Sequence, residues 1–124
     1  MQGTVQYICH MSPELDLENA KAQMRKGTLE FCILLIVGRG EAYSSDILTT
    51  LKEHDLLVVE GTLYPLLSRL RHSGLVSYEW RESKSGPPRK YYSLTKKGRA
   101  TLDDLITSWN SLNTCISSLI SSHA

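Results

Sequence analysis

The first sustained hydrophobic pattern follows Ser12 and Pro13, a hydroxyl cap and a proline whose missing N–H costs nothing in a first helical turn. Leu15, Leu17, Ala20 and Met24 mark it, and residues 29–37 are almost wholly apolar. Gly27 either sits inside one helix, at about 1 kcal/mol relative to alanine, or breaks it so that Thr28 caps a second piece. One long helix over 13–37 is the expectation, ended by Gly38-Arg39-Gly40. Tyr43-Ser44-Ser45-Asp46 then offers caps for a short helix over 45–54, with Ile47, Leu48 and Leu51 as its apolar face. A third helix is expected to begin near Glu60-Gly61-Thr62 and to run to His72, with Pro65 tolerated in its first turn and Gly74 as its stop. Leu63, Leu66, Leu67 and Leu70 recur at i, i+3, i+4 and i+7, which turns them inward and leaves Thr62, Pro65, Ser68, Arg69 and His72 outward.

Beyond Gly74 the period changes. Residues 75–81 and 89–94 are rich in strand-favouring aromatic and aliphatic side chains, separated by a Ser-Lys-Ser-Gly-Pro-Pro tip, and predict a hairpin. Over 96–122 the pattern is helical again. Leu102, Leu105, Trp109, Leu112, Ile116 and Leu119 follow spacings of 3, 4, 3, 4 and 3, a seam of coiled-coil type. One helix cannot bury such a stripe alone; it folds back on the domain or pairs with a second copy, and a homodimer assisted by the N-terminal helix is the expectation.

These elements make a mainly α chain with a small β-hairpin, a winged helix-turn-helix plus a C-terminal dimerisation helix. The organisation expected is a loose arm over 1–11, the winged-helix domain over 12–95 and the dimerisation helix over 96–124. The hairpin is the wing, whose Lys84, Arg89 and Lys90 suit phosphates or an adjacent minor groove, with prolines that limit the entropy lost on docking.

Charge sharpens this picture. The net charge of the 124 residues is only +1, yet residues 61–100 hold nine arginines and lysines against two glutamates, a local +7 that leaves −6 for the rest. A basic block in an otherwise acidic chain creates a local field for a polyanion such as double-stranded DNA. Hydrophobic content of 41% and charged content of 22% are ordinary for a globular protein. No apolar run reaches bilayer length and no signal-peptide pattern opens the chain, so a cytoplasmic location is expected. Cys9, Cys32 and Cys115 lack C-x-x-C pairing, and Cys32 and Cys115 are expected as small buried hydrophobes. Four histidines, His10, His54, His72 and His123, lack metal-ligand spacing, so no metal or other cofactor is expected. No phosphate-binding loop, zinc-protease motif or nucleophile elbow is present, which sets enzymes aside.

"GTLYPLLSRLRHSGLVSYEW" followed by "SGPPRKYYSLTKKG" resembles the PadR family of bacterial transcriptional regulators, in the smaller subgroup with a single C-terminal helix. That resemblance implies a winged-helix DNA-binding domain, a dimer built through the last helix, and repression often relieved by a small molecule. Position by position it implies DNA contacts from Tyr43 and Ser45 at the second helix, Thr62, Tyr64, Ser68 and Arg69 at the third, and Lys84, Arg89 and Lys90 in the wing. Tyr64 either packs its ring on the core while its hydroxyl meets a phosphate, or only packs. Arg69 suits bidentate pairing with guanine. Some small PadR-like regulators of multidrug transport have a tryptophan at a place like that of Trp109, facing its symmetry mate and stacking on flat aromatic drugs; packing in the seam is the plainer role for the same residue. A winged helix that binds protein and has lost DNA is the alternative function.

Overall fold

The computed structural model describes residues 13–123, so the expected N-terminal arm, with Cys9, His10 and the Ser12 cap, lies outside the described residues. The first helix, α1, is continuous over Pro13–Arg39. Gly27 lies within it in an exposed position where an added Cβ would meet nothing within 4 Å, so only backbone freedom is lost there. The described residues divide into two compact units, with the boundary between Glu30 and Phe31. In the described part of the first unit, α1 is exposed over 16–27, and the Thr28 hydroxyl donates back along the helix to the Met24 and Arg25 carbonyls at 3.3 and 3.2 Å.

The second unit holds the rest of α1, a two-residue strand β1 (Ala42–Tyr43), helices α2 (Ser44–Glu53) and α3 (Glu60–His72), strands β2 (Val76–Ser83) and β3 (Gly86–Leu94), and the terminal helix α4 (Lys96–His123). Its core is the inward stripe of each element: Ile33, Leu34, Ile47, Leu63, Leu67 and Val76 are the largest side chains removed from water. Each contributes roughly 1.5–3 kcal/mol through apolar burial. On α3, Leu63, Leu67 and Leu70 are buried and Thr62, Pro65, Ser68, Arg69 and His72 exposed, as the leucine spacing requires.

The three strands form an antiparallel sheet in the order β1-β3-β2. The wing's tip is tighter than expected, because only Lys84 and Ser85 form the turn while Ser83 pairs with Gly86. Both prolines belong to β3. Between the Arg81–Arg89 and Ser83–Gly86 pairs the register slips, so that Glu82 alone opposes Pro87 and Pro88; a bulge is where a strand tolerates residues with no N–H to give. The period-2 alternation then sorts the sheet into two faces. Val76, Tyr78, Trp80, Lys90 and Tyr92 share the face that begins in the core, while Tyr43, Glu79, Arg81, Arg89 and Tyr91 share the other.

Two expectations about glycine and proline change. Gly38 does not stop α1, which runs on to Arg39; it makes room for α4, since a Cβ there would lie 2.9 Å from Leu102 Cδ2 and 3.2 Å from Leu94 Cδ1. Pro65 is the sixth residue of α3 and lies in its second turn, because the helix already starts at Glu60. The carbonyl it leaves without a helical donor is that of Gly61, an exposed residue open to water.

The start of α4 is built into the domain. Thr95 accepts from the Gly98 N–H at 2.9 Å, capping the helix, and its hydroxyl donates to the Gly74 carbonyl at 2.6 Å. The Thr95 N–H donates to the Leu75 carbonyl at 3.1 Å and the Lys97 ammonium to the Ser73 carbonyl at 2.9 Å. Three successive carbonyls of the turn after α3 are thus held by the residues that open α4. Leu102, expected in the dimer seam, is a correction: it is only 3% exposed beside Gly38 and Leu94, and so anchors α4 to its own domain. Cys115 is exposed rather than buried, whereas burial pushes the half-buried Cys32 thiol above its ordinary pKa.

Candidate nucleic-acid interface

The helix-turn-helix is α2, the connection 54–59 and α3. Asp46 fixes where α2 begins, its carboxylate accepting the Tyr43 N–H at 3.2 Å. One residue later the Ser44 hydroxyl shares a 3.1 Å hydrogen bond with the Tyr64 hydroxyl, so the first turn of α2 is tied to α3. Tyr64 is 47% exposed, so its ring is partly covered while its hydroxyl is held by Ser44. Its hydroxyl, with Ser44 and the exposed Ser45, stands at the N-terminus of α2, where free backbone N–H groups favour an anion. Ser44 was not among the expected contacts; a cap residue in sequence gives no sign that it faces another helix.

Thr62, Ser68 and Arg69 form the polar outward stripe of α3 and are exposed. His72 ends that stripe, its Nδ1 held by the Ser68 carbonyl at 2.7 Å. The three wing cations are not brought to one place. Lys84 is exposed at the turn. Arg89 lies over the Tyr43 ring at 4.6 Å, and that ring meets Tyr91 edge-on at 5.2 Å. Lys90 lies on the opposite face, 4.4 Å from the Tyr78 ring and 5.3 Å from that of Trp80. Cation–π contacts of this kind fix the direction of a charge without neutralising it.

Other members of the basic block serve the fold. Arg81 pairs with Glu41 and Glu79, and those carboxylates, Glu79 foremost, raise its pKa further. Lys97 is committed to Ser73, and the Arg99 guanidinium donates to the Gly38 carbonyl at 3.0 Å near the end of α1, where a cation complements the helix dipole. Bonds to carbonyls leave Lys97 and Arg99 charged, whereas the carboxylates of Glu41 and Glu79 offset the charge of Arg81 in the local field. Burial, reinforced by Tyr78 and Tyr64 and opposed by Arg71, raises the Tyr92 phenol above its ordinary pKa, which keeps that core tyrosine neutral.

On α4 the seam opens toward its C-terminal half. Leu105 is half-buried, while Trp109, Leu112, Ile116 and Leu119 are 41%, 51%, 44% and 63% exposed. Trp109 meets the Phe31 ring of α1 at 6.3 Å with a 47° tilt. No group of metal-ligating side chains occurs among the described residues, and no described helix is long and apolar enough to cross a membrane.

A sequence model of the transcriptional regulator PadR-like family matches residues 33–104, from the apolar half of α1 through the wing to the start of α4. The chain belongs to the PadR-like family. It is 56% identical to a PadR-like transcription factor from Bacteroides fragilis, over 82% of this chain and 98% of that one, with a TM-score of 0.70. A PadR family regulator from Eggerthella lenta is 31% identical over 86% and 94% of the two chains, with a TM-score of 0.77. Bacillus subtilis PadR, solved in complex with operator DNA, is 26% identical with a TM-score of 0.59, over 64% of this chain and 45% of its own. The family and these PadR relatives are transcriptional regulators, not enzymes.

Proposed function

We propose that this PadR-like protein is a sequence-specific DNA-binding regulator that acts as a repressor, works as a homodimer joined through α4, and is released from DNA by a planar aromatic molecule bound at Trp109. The division of labour on α3 carries the DNA reading. Its leucines are spent inward while Thr62, Ser68 and Arg69 stand outward, beside a wing whose Lys84, Arg89 and Lys90 keep their charges at the surface. Operator DNA in the Bacillus subtilis PadR structure supports the same reading. Arg69 reads a base, Ser45 and Tyr64 meet the backbone at α2, and the wing cations hold the flanking phosphates.

The open apolar ladder on α4 supports the dimer, since a stripe of Trp109, Leu112, Ile116 and Leu119 left in water is covered when a second α4 packs on it. Two copies present two α3 helices to a two-fold related site. The exposed Trp109 indole, with the Phe31 ring tilted against it, offers an apolar surface that suits an aromatic effector. Selection of bound duplexes from a random pool tests the central reading: one enriched, two-fold related sequence is expected, and a pool without enrichment contradicts it. Tryptophan quenching by planar aromatic cations, followed by loss of DNA binding, tests the effector; quenching without loss contradicts release.

A further inference from the structure

Beside α3 the wing forms a cleft of about 720 Å³ lined by Arg71, His72, Val76, Ser77, Tyr78 and Trp80. Trp80 is 62% exposed, although it lies on the sheet face that begins in the core with Val76. Its ring stands perpendicular to that of Tyr78, with centroids 6.3 Å apart. Lys90, paired with Trp80 across the hairpin, places its ammonium over both rings, and the Arg71 guanidinium lies 5.1 Å from the other neighbour, Tyr78. The lining contains no carboxylate; Glu79 is turned to the opposite face, where Arg81 holds it. His72 is both the last residue of the outward stripe of α3 and a wall of the cleft, so the cleft continues the face of α3 assigned to DNA.

We infer that this cleft seats the DNA backbone next to the groove that α3 enters, with Trp80 as the contact residue and Lys90 and Arg71 as its charges. The inference rests on the DNA-binding reading above. A large indole left in water beside Lys90, with Arg71 on the neighbouring Tyr78 ring, fits a ligand with an apolar face and a negative charge side by side. A deoxyribose and its phosphate have that form: the sugar lies against the indole and the phosphodiester meets Lys90 and Arg71. Both cations lie against the Tyr78 ring, so they are restrained before DNA arrives and less side-chain freedom is lost on docking. Such a seat contributes to every duplex alike, because sugar and phosphate carry no sequence.

The test uses the full chain, a duplex carrying its selected site and a scrambled duplex, at fixed ionic strength. Trp80→Ala is expected to weaken both duplexes about tenfold, and Trp80→Phe to retain most of the affinity. Iodide quenching supplies a readout that a merely structural role would not move. Saturating duplex is expected to shield the indole of the wild type from iodide, and this shielding to vanish in Trp80→Phe, whose remaining tryptophan is Trp109. Trp80→Ala that binds both duplexes like the wild type, or a Trp80 equally quenched with and without duplex, overturns the seat while leaving DNA recognition by α3 intact. A wild type that binds no duplex overturns both. An indole shielded by a protein partner instead of DNA also overturns it and favours the interaction-module reading.

Discussion

Gly98→Ala is the sharpest test of how α4 is joined to the winged helix. Gly98 is buried in the first turn of α4, and a Cβ built there lies 1.9 Å from the Leu75 carbonyl oxygen, 2.9 Å from its carbon and 3.2 Å from Leu94 Cδ2. The first two neighbours are backbone, so no rotamer change relieves the overlap, and a separation of even 3.0 Å requires the strands of backbone to part by about 1 Å. That shift breaks the Thr95–Leu75 bond and strains the Thr95–Gly74 and Lys97–Ser73 bonds beside it. Three hydrogen bonds at about 1 kcal/mol each are offset by about 0.5–1 kcal/mol from alanine's better helix propensity, so a net loss of about 2–2.5 kcal/mol is expected. For a chain of this size that is a fall of roughly 10 °C in Tm, read by circular dichroism at 222 nm. Gly27→Ala is the control. It gains the same propensity with nothing within 4 Å and is expected to leave Tm equal or slightly raised. If Gly98→Ala behaves like Gly27→Ala, α4 does not sit against Leu75 as described.

Three further outcomes bear on function. Arg69→Ala is expected to cost about 1–3 kcal/mol on the selected site and little on scrambled DNA, measured as the ratio of the two affinities; an unchanged ratio removes Arg69 from base reading. Lys84→Ala with Lys90→Ala is expected to weaken all duplexes and to lower the slope of log affinity against log salt by nearly 2, whereas an unaltered slope removes the wing from the phosphates. Ile116→Asp, a charge placed at a 44% exposed seam position, is expected to give monomers in sedimentation with the helical signal of the domain retained; a persistent dimer means that another face joins the copies.

The elements with a clear period were legible in the sequence. The leucines of α3 declared its inward face, and the switch to aromatic and aliphatic runs after Gly74 declared the wing. What escaped depends on neighbours that are distant in the chain. Gly38 read as part of a helix stop and Gly98 gave no signal, yet each is small because another element crosses close to it. Strand β1 has two residues and no period to detect. The separation of Arg89 from Lys90 follows from strand parity, but their tyrosine and tryptophan partners follow only from the register and the bulge opposite Glu82. For the same reason Trp80 looked like a strand residue and nothing more. Leu102 continued the seam by spacing alone, and only the packing of α4 on Gly38 and Leu94 withdraws it.

The central claim is that α3 and the wing together recognise a particular DNA sequence. Fluorescence anisotropy of the purified protein on DNA from upstream of its own gene, against a scrambled duplex, over a salt series from about 50 to 200 mM, tests it most directly. Tighter binding to the upstream duplex at every salt, with steep linear slopes on both, is the predicted result. Equal, weak and salt-insensitive binding to both duplexes would contradict it.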